Sequence, residues 1–206
     1  MNPLVMFDFD GVVADSFDVY FAEFTYVCTE MGLKRLNSRE AFLKLMEGNP
    51  LKQLFWSGFP IWRLKRVAQK FQPRIEEASR TFQPFEGMPE VVTEIAGRHP
   101  VYVITHNATQ FVNDFMEKYG IRGVKDVLGS DAEQSKIKKI RSIIRHHPER
   151  TPYYIGDTKG DMREAHKAGA IPIAVAWGYH SVEKLLEGNP QHVVESPAAL
   201  VRLFGA

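Results

Sequence analysis

A single cysteine, Cys28, occurs in 206 residues, so no internal disulfide can form. A chain of this length without disulfide staples fits a reducing compartment, and a cytoplasmic protein is expected. No apolar run reaches the roughly twenty residues needed to span a bilayer as a helix. The N-terminus enters an acidic motif at once, so no leader segment is expected. An excess of one charge sign is also missing: 26 Lys and Arg stand against 25 Asp and Glu. That balance argues against a nucleic-acid surface and gives no membrane-binding signal. Internal repeats and low-complexity tracts are absent too. Hydrophobic residues make up 44% and aromatics 12%, enough for an ordered globule with one sizeable core.

From residue 85 onward strand and helix patterns alternate. Helices are expected over Pro89–Gly97, Ala108–Tyr119, from Ser135, over Asp161–Ala168 and over Pro197–Phe204. Strands are expected at Leu4–Phe7, Val101–Ile104, Val124–Leu128, Tyr153–Ile155, Ile171–Ala176 and His192–Val194. This alternation predicts an α/β fold: a Rossmann-like parallel sheet with helices on both faces. In such sheets the site lies beyond the carboxyl ends of the strands.

Residues 17–84 carry no strand pattern. Phe17, Phe21, Phe24, Cys28 and Met31 form one helical stripe closed by Gly32. Ser38 can cap a second helix running to Glu47, and Gly48-Asn49-Pro50 breaks it. Shorter helices are expected over Leu51–Trp56, Ile61–Phe71 and Pro73–Thr81. The chain therefore divides into an α/β core, residues 1–16 and 85–206, and an all-helical module, 17–84. The module leaves and rejoins the core near the end of the first strand, which places it over the site.

The chemistry concentrates at strand ends. Asp8 and Asp10 sit one residue apart where the first strand stops, and Gly11 turns the chain. Two like charges so close are unfavourable unless a cation or a transferable proton compensates them. The pair thus predicts a metal, a nucleophile beside a proton shuttle, or both. Thr105 and Asn107 follow the second core strand, with His106 between them. Lys136 opens a helix striped by Ile137, Ile140, Ile143 and Ile144; Lys138 and Lys139 are alternatives, but the isoleucines favour Lys136. Asp157 and Asp161 flank a strand-to-helix turn. A nucleophile, oxyanion donors, a fixed cation and an oxygen-only metal site together suit phosphoryl transfer. Oxygen ligands with an open position suit Mg²⁺.

With these residues in view the chain resembles the haloacid dehalogenase superfamily, in particular its phosphoglycolate-phosphatase-like members. The resemblance rests on Asp8-Phe9-Asp10-Gly11 with Asp15-Ser16, on Thr105, on Lys136, and on Gly156-Asp157 with Asp161. It implies a Mg²⁺-dependent phosphatase acting on a small phosphate ester, as a monomer or homodimer. Asp8 would attack phosphorus and Asp10 would serve as acid and then base. Mg²⁺ would be held by Asp8, the Asp10 carbonyl, Asp157 and Asp161. Thr105, His106, Asn107 and Lys136 would bind the phosphoryl group, and the helical module would be a cap that selects the leaving group. The lysine in relatives is often followed by Pro, whereas Ile137 stands here. Two other readings are a phosphomutase of the same fold and a non-catalytic phosphate-binding protein. The basic stretch Trp62–Arg66, with Lys70 and Arg74, is read as a solvated helix face. Asp15 and Ser16 are assigned to shaping the turn and capping the next helix.

Overall fold

The computed structural model describes residues 2–33, 36–45 and 61–205. Two compact units emerge, Met1–Ala14 with Pro84–Ala206, and Asp15–Gln83. In the first, six strands form one parallel sheet. They are β1 (Pro3–Asp8), β4 (Val101–Ile104), β5 (Asp126–Leu128), β6 (Thr151–Gly156), β7 (Ile171–Val175) and β8 (His192–Val194). Short β2 (Ala14–Asp15) and β3 (Gln83–Pro84) pair where the chain passes between units.

The spatial order β5-β4-β1-β6-β7-β8 makes β1 the point where the winding reverses. All six residues of β1 are buried, because neighbours cover both edges and helices cover both faces. Burying Leu4, Val5, Met6 and Phe7 contributes roughly 1.5–3 kcal/mol each. Register then aligns the strand ends: Asp8 lies beside Ile104, and Phe7 beside Ile155. The residues following β1, β4 and β6 therefore emerge together at the switch point, where such sheets hold ligands.

Two helices on one face carry site residues at their first turns. Ser135 caps α6 (Lys136–His146), its Oγ accepting from the Lys138 N–H. Thr158 caps α7 (Lys159–Ala168) in a reciprocal box with Asp161. Ile140 and Ile143 of α6 and Ala165 of α7 pack on Leu4, Met6, Ile104 and Tyr154. Helices α4 (Met88–Ala96), α5 (Thr109–Lys118), α8 (Val182–Leu186) and α9 (Pro197–Phe204) complete the unit. Phe9 packs edge-on against Phe115 of α5 at 4.9 Å between ring centres.

The second unit contains α1 (Phe17–Glu30), α2 (Arg39–Leu45) and α3 (Leu64–Ala78) among its described residues. Val27, Cys28, Met31, Leu36 and Val67 form its core, with Phe24 and Phe71 against them. Phe42 packs against the rings of Phe17, Phe21 and Phe24. The sequence predicts a helix boundary at Pro73, and the structure corrects it: Pro73 lies inside the continuous α3. Its missing N–H costs one backbone bond, yet buried Val67 and Ile75 hold the turns on either side. Ser16 occupies the N-cap position of α1 without a side-chain capping bond, so its expected capping role is also corrected. Arg63, Lys70 and Arg74 are engaged within this unit, by Met31 O, Glu30 and Glu23. The expected ending of the second helix near Glu47, the Gly48–Pro50 turn and the Leu51–Trp56 helix lie outside the described residues.

Candidate active site

Three carboxylates arrive at one point from separate stretches of chain. Asp8 ends β1, Asp157 follows β6, and Asp161 lies in the first turn of α7. One oxygen from each lies within 4.8 Å of the others, and all three residues are buried. Lys136, from the first turn of α6, enters the same cluster. Its Nζ donates to Asp8 Oδ2 at 2.6 Å and to Asp161 Oδ1 at 2.8 Å. Asp8 Oδ1 accepts from the Phe9 N–H at 2.8 Å. The Tyr179 N–H donates to Asp157 Oδ2 at 2.8 Å. The Thr158 N–H donates to Asp161 Oδ2 at 3.1 Å.

Glycines make the close approach possible. Gly11 has φ +71°, and a Cβ there would stand 1.9 Å from Asp157 Oδ2. A Cβ on Gly178 would lie 2.3 Å from the Asp157 Cβ and 2.5 Å from the Gly11 carbonyl oxygen. Both distances are far inside van der Waals contact, so only glycine fits at either position.

Three carboxylates against one ammonium leave negative charge uncompensated in a buried place. Burial, with Asp161 and Asp157 nearby, pushes Asp8 well above the usual carboxylate range despite Lys136. Burial and Asp161 push Asp157 up likewise. For Asp161 the burial cost is outweighed by Lys136 and its hydrogen bonds, so it lies below the ordinary value. Burial works against the Lys136 ammonium, but Asp161 and Asp8 outweigh it and hold the group well above a normal lysine. Hard oxygen donors with surplus negative charge fit a small divalent cation.

A second cluster forms beside the first. Asn107 Nδ2 donates to Asp10 Oδ2 at 2.6 Å and to Thr105 Oγ1 at 3.2 Å. Thr105 is fully buried, and its Oγ1 also accepts from the Asn107 N–H. The Asp10 carboxylate thus faces Asn107 and is not in the three-carboxylate group. His106 is exposed.

The three candidate lysines separate cleanly. Lys136 joins the carboxylates, Lys138 is 70% exposed and pairs with Glu133, and Lys139 is buried with its Nζ on the Thr105 carbonyl oxygen at 2.7 Å. The sequence leaves two participants without a specific role: Lys139, an alternative to Lys136, and Tyr179, in the segment Ala176–Tyr179 that follows a strand and is read either as a wall of the site or as packing. The sequence offers Lys139 only as an alternative to Lys136, because its burial depends on a carbonyl 34 residues away. The Tyr179 N–H reaches Asp157 because Gly178 lets the loop after β7 come close; that glycine after a strand was the available signal.

Comparison with known proteins agrees with this geometry. A sequence model of the haloacid dehalogenase-like hydrolase family matches residues 5–175. A phosphoglycolate phosphatase from Synechococcus elongatus is 22% identical, covering 96% of this chain and 95% of its own. A 5′-nucleotidase from Pseudomonas aeruginosa is 27% identical, covering 96% and 93%. Among solved structures, a haloacid dehalogenase-like hydrolase from Streptococcus pneumoniae superposes with a TM-score of 0.84 at 24% identity, covering 99% and 98%. With four motifs at the ends of adjoining core elements and a family match across most of its length, the chain belongs to the haloacid dehalogenase-like hydrolases.

Proposed function

We propose that this hydrolase is a Mg²⁺-dependent phosphatase of small phosphorylated metabolites, such as phosphoglycolate or another organic acid phosphate. The observation that carries the reading is Asp8 held against Lys136 in a buried carboxylate cluster, with Asp10 two residues on. Asp8, Asp157 and Asp161 would hold Mg²⁺, with the Asp10 carbonyl oxygen. When bound, the cation would neutralise charge on the phosphoryl oxygens and draw the ester toward the nucleophile.

An Asp8 carboxylate oxygen attacks phosphorus, and the bond from phosphorus to the ester oxygen breaks. Asp10 delivers its proton to the departing alkoxide, leaving an alcohol and a phospho-aspartate. The resulting Asp10 carboxylate takes a proton from water, whose oxygen attacks phosphorus and releases Asp8 and inorganic phosphate. Asn107 keeps Asp10 aimed through its 2.6 Å hydrogen bond. Thr105, His106 and Asn107 contact the phosphoryl oxygens in this reading, and Lys136 offsets charge on Asp8 and the phosphoryl group. The relatives named as a phosphoglycolate phosphatase and a 5′-nucleotidase support a phosphate ester as the substrate class. The single cysteine, Cys28, which can form no internal disulfide, supports a reducing cytoplasm.

Turnover of p-nitrophenyl phosphate, measured with Mg²⁺ and again with EDTA, tests this. Mg²⁺-dependent release of nitrophenol is expected. A broad ester panel left intact would instead mark a non-catalytic phosphate binder, and an isomeric sugar phosphate as product would mark a mutase.

A further inference from the structure

Lys139 is a second lysine that the reaction just described does not use. It is 1% exposed and lies one turn beyond Lys136 on α6. Its ammonium has been taken out of water to reach one backbone atom, the Thr105 carbonyl oxygen, at 2.7 Å. Desolvating an ammonium is costly, and one neutral carbonyl repays little of that cost. A structural anchor for a loop needs no charge.

The bonded carbonyl belongs to the Thr105–His106 peptide. No peptide bond in the described residues is cis, and a trans peptide sends its C=O and N–H in opposite directions. Fixing Thr105 O against α6 therefore aims the His106 N–H away from that helix. The His106 N–H has no hydrogen-bond acceptor among the described residues, whereas the Thr105 and Asn107 N–H groups are satisfied by Leu128 O and Thr105 Oγ1. A cation on the carbonyl also polarises the peptide and strengthens its N–H as a donor.

We propose that Lys139 is a positioning residue for phosphoryl binding: it locks and polarises the Thr105–His106 peptide, so that the His106 N–H serves as an oxyanion donor. The inference rests on the phosphatase reading above. Burial and the Lys136 charge bring the Lys139 ammonium down to about 8. Asp8, Asp131 and Glu133 act on it in the opposite sense, while His106 and Glu164 lie within its field. Lysine is charged below that value, so the polarised donor is present at neutral pH and fades as pH rises through about 8.

The test is steady-state hydrolysis of p-nitrophenyl phosphate from pH 6.5 to 9.5 by the wild type, Lys139→Gln and Lys139→Met, each checked for cooperative melting. Wild-type kcat/KM is expected to fall on the alkaline side of about pH 8. Lys139→Gln keeps a neutral donor and should lose about tenfold at pH 7 without that alkaline fall; Lys139→Met should lose about a hundredfold. Dissociation constants for inorganic phosphate, measured by calorimetry, should weaken in the same order. If Lys139→Met fails to fold, Lys139→Gln carries the test alone. Folded variants with wild-type kcat/KM, or with an unchanged alkaline limb, overturn the inference and leave the phosphatase reading standing. A wild type without turnover overturns both.

Discussion

Asp8, Asp157 and Asp161 repel one another, and Lys136 answers only part of that repulsion. Because Asp8 and Asp157 are pushed up, the metal-free folded state holds protons that the unfolded chain has released. The sign follows directly. These two groups favour the metal-free fold at acid pH, and that contribution is lost as pH rises through their raised values. A divalent cation held by these carboxylates would displace those protons, so Mg²⁺ binding is expected to tighten with rising pH. At a hundredfold excess over its dissociation constant, Mg²⁺ should raise the melting temperature by about 5–10 °C near neutrality. The increment should shrink as the buffer is acidified; calorimetric melts at several pH values read it. A shift independent of pH would contradict the buried-carboxylate account. Asp8→Asn should lower turnover by about a thousandfold or more while keeping the fold, since the nucleophile is lost but its volume is preserved. Far-UV spectra together with rates would check both halves.

Elements show which local signals were legible and which were not. Asp8 and Asp10 could be placed at a strand end because an apolar run stops there and Gly11 follows. Lys136 could be separated from Lys138 because Ile137, Ile140 and Ile143 set the buried stripe of α6. By contrast, Pro73 reads locally as a break, and only the packing of Val67 and Ile75 within the helical unit shows that α3 continues through it. Lys139 was illegible as a buried residue because its partner is a carbonyl supplied by another element. The same reasoning makes two element-scale expectations. Pro73 is exposed, so Pro73→Ala should restore a backbone bond and stabilise the helical unit by about 2 kcal/mol. Native-state hydrogen exchange of α3 amides reads this, and unchanged protection would argue against a cost at Pro73. Gly178→Ala puts a methyl group where the Asp157 side chain stands, so it should abolish the Mg²⁺-induced melting shift and destabilise by about 1–3 kcal/mol. A retained shift would show that the loop yields without moving Asp157.

At the scale of the molecule, winding order does most of the work of assembly. Reversal of the winding at β1 brings the ends of β4 and β6 to either side of Asp8, so residues a hundred positions apart share one centre. Alternating strand and helix patterns made the parallel sheet legible, and the acidic motifs fixed which end carries the chemistry. The choice of substrate was not legible in the same way, because selectivity depends on side-chain directions that no periodicity encodes. The central claim, covalent catalysis by Asp8, is open to one direct measurement. Protein quenched in acid during Mg²⁺-dependent turnover is digested and examined by mass spectrometry. One phosphoryl group on the peptide containing Asp8 is expected, and it should be absent from Asp8→Asn. Steady phosphate release with that peptide unmodified, and undiminished turnover by Asp8→Asn, would contradict it.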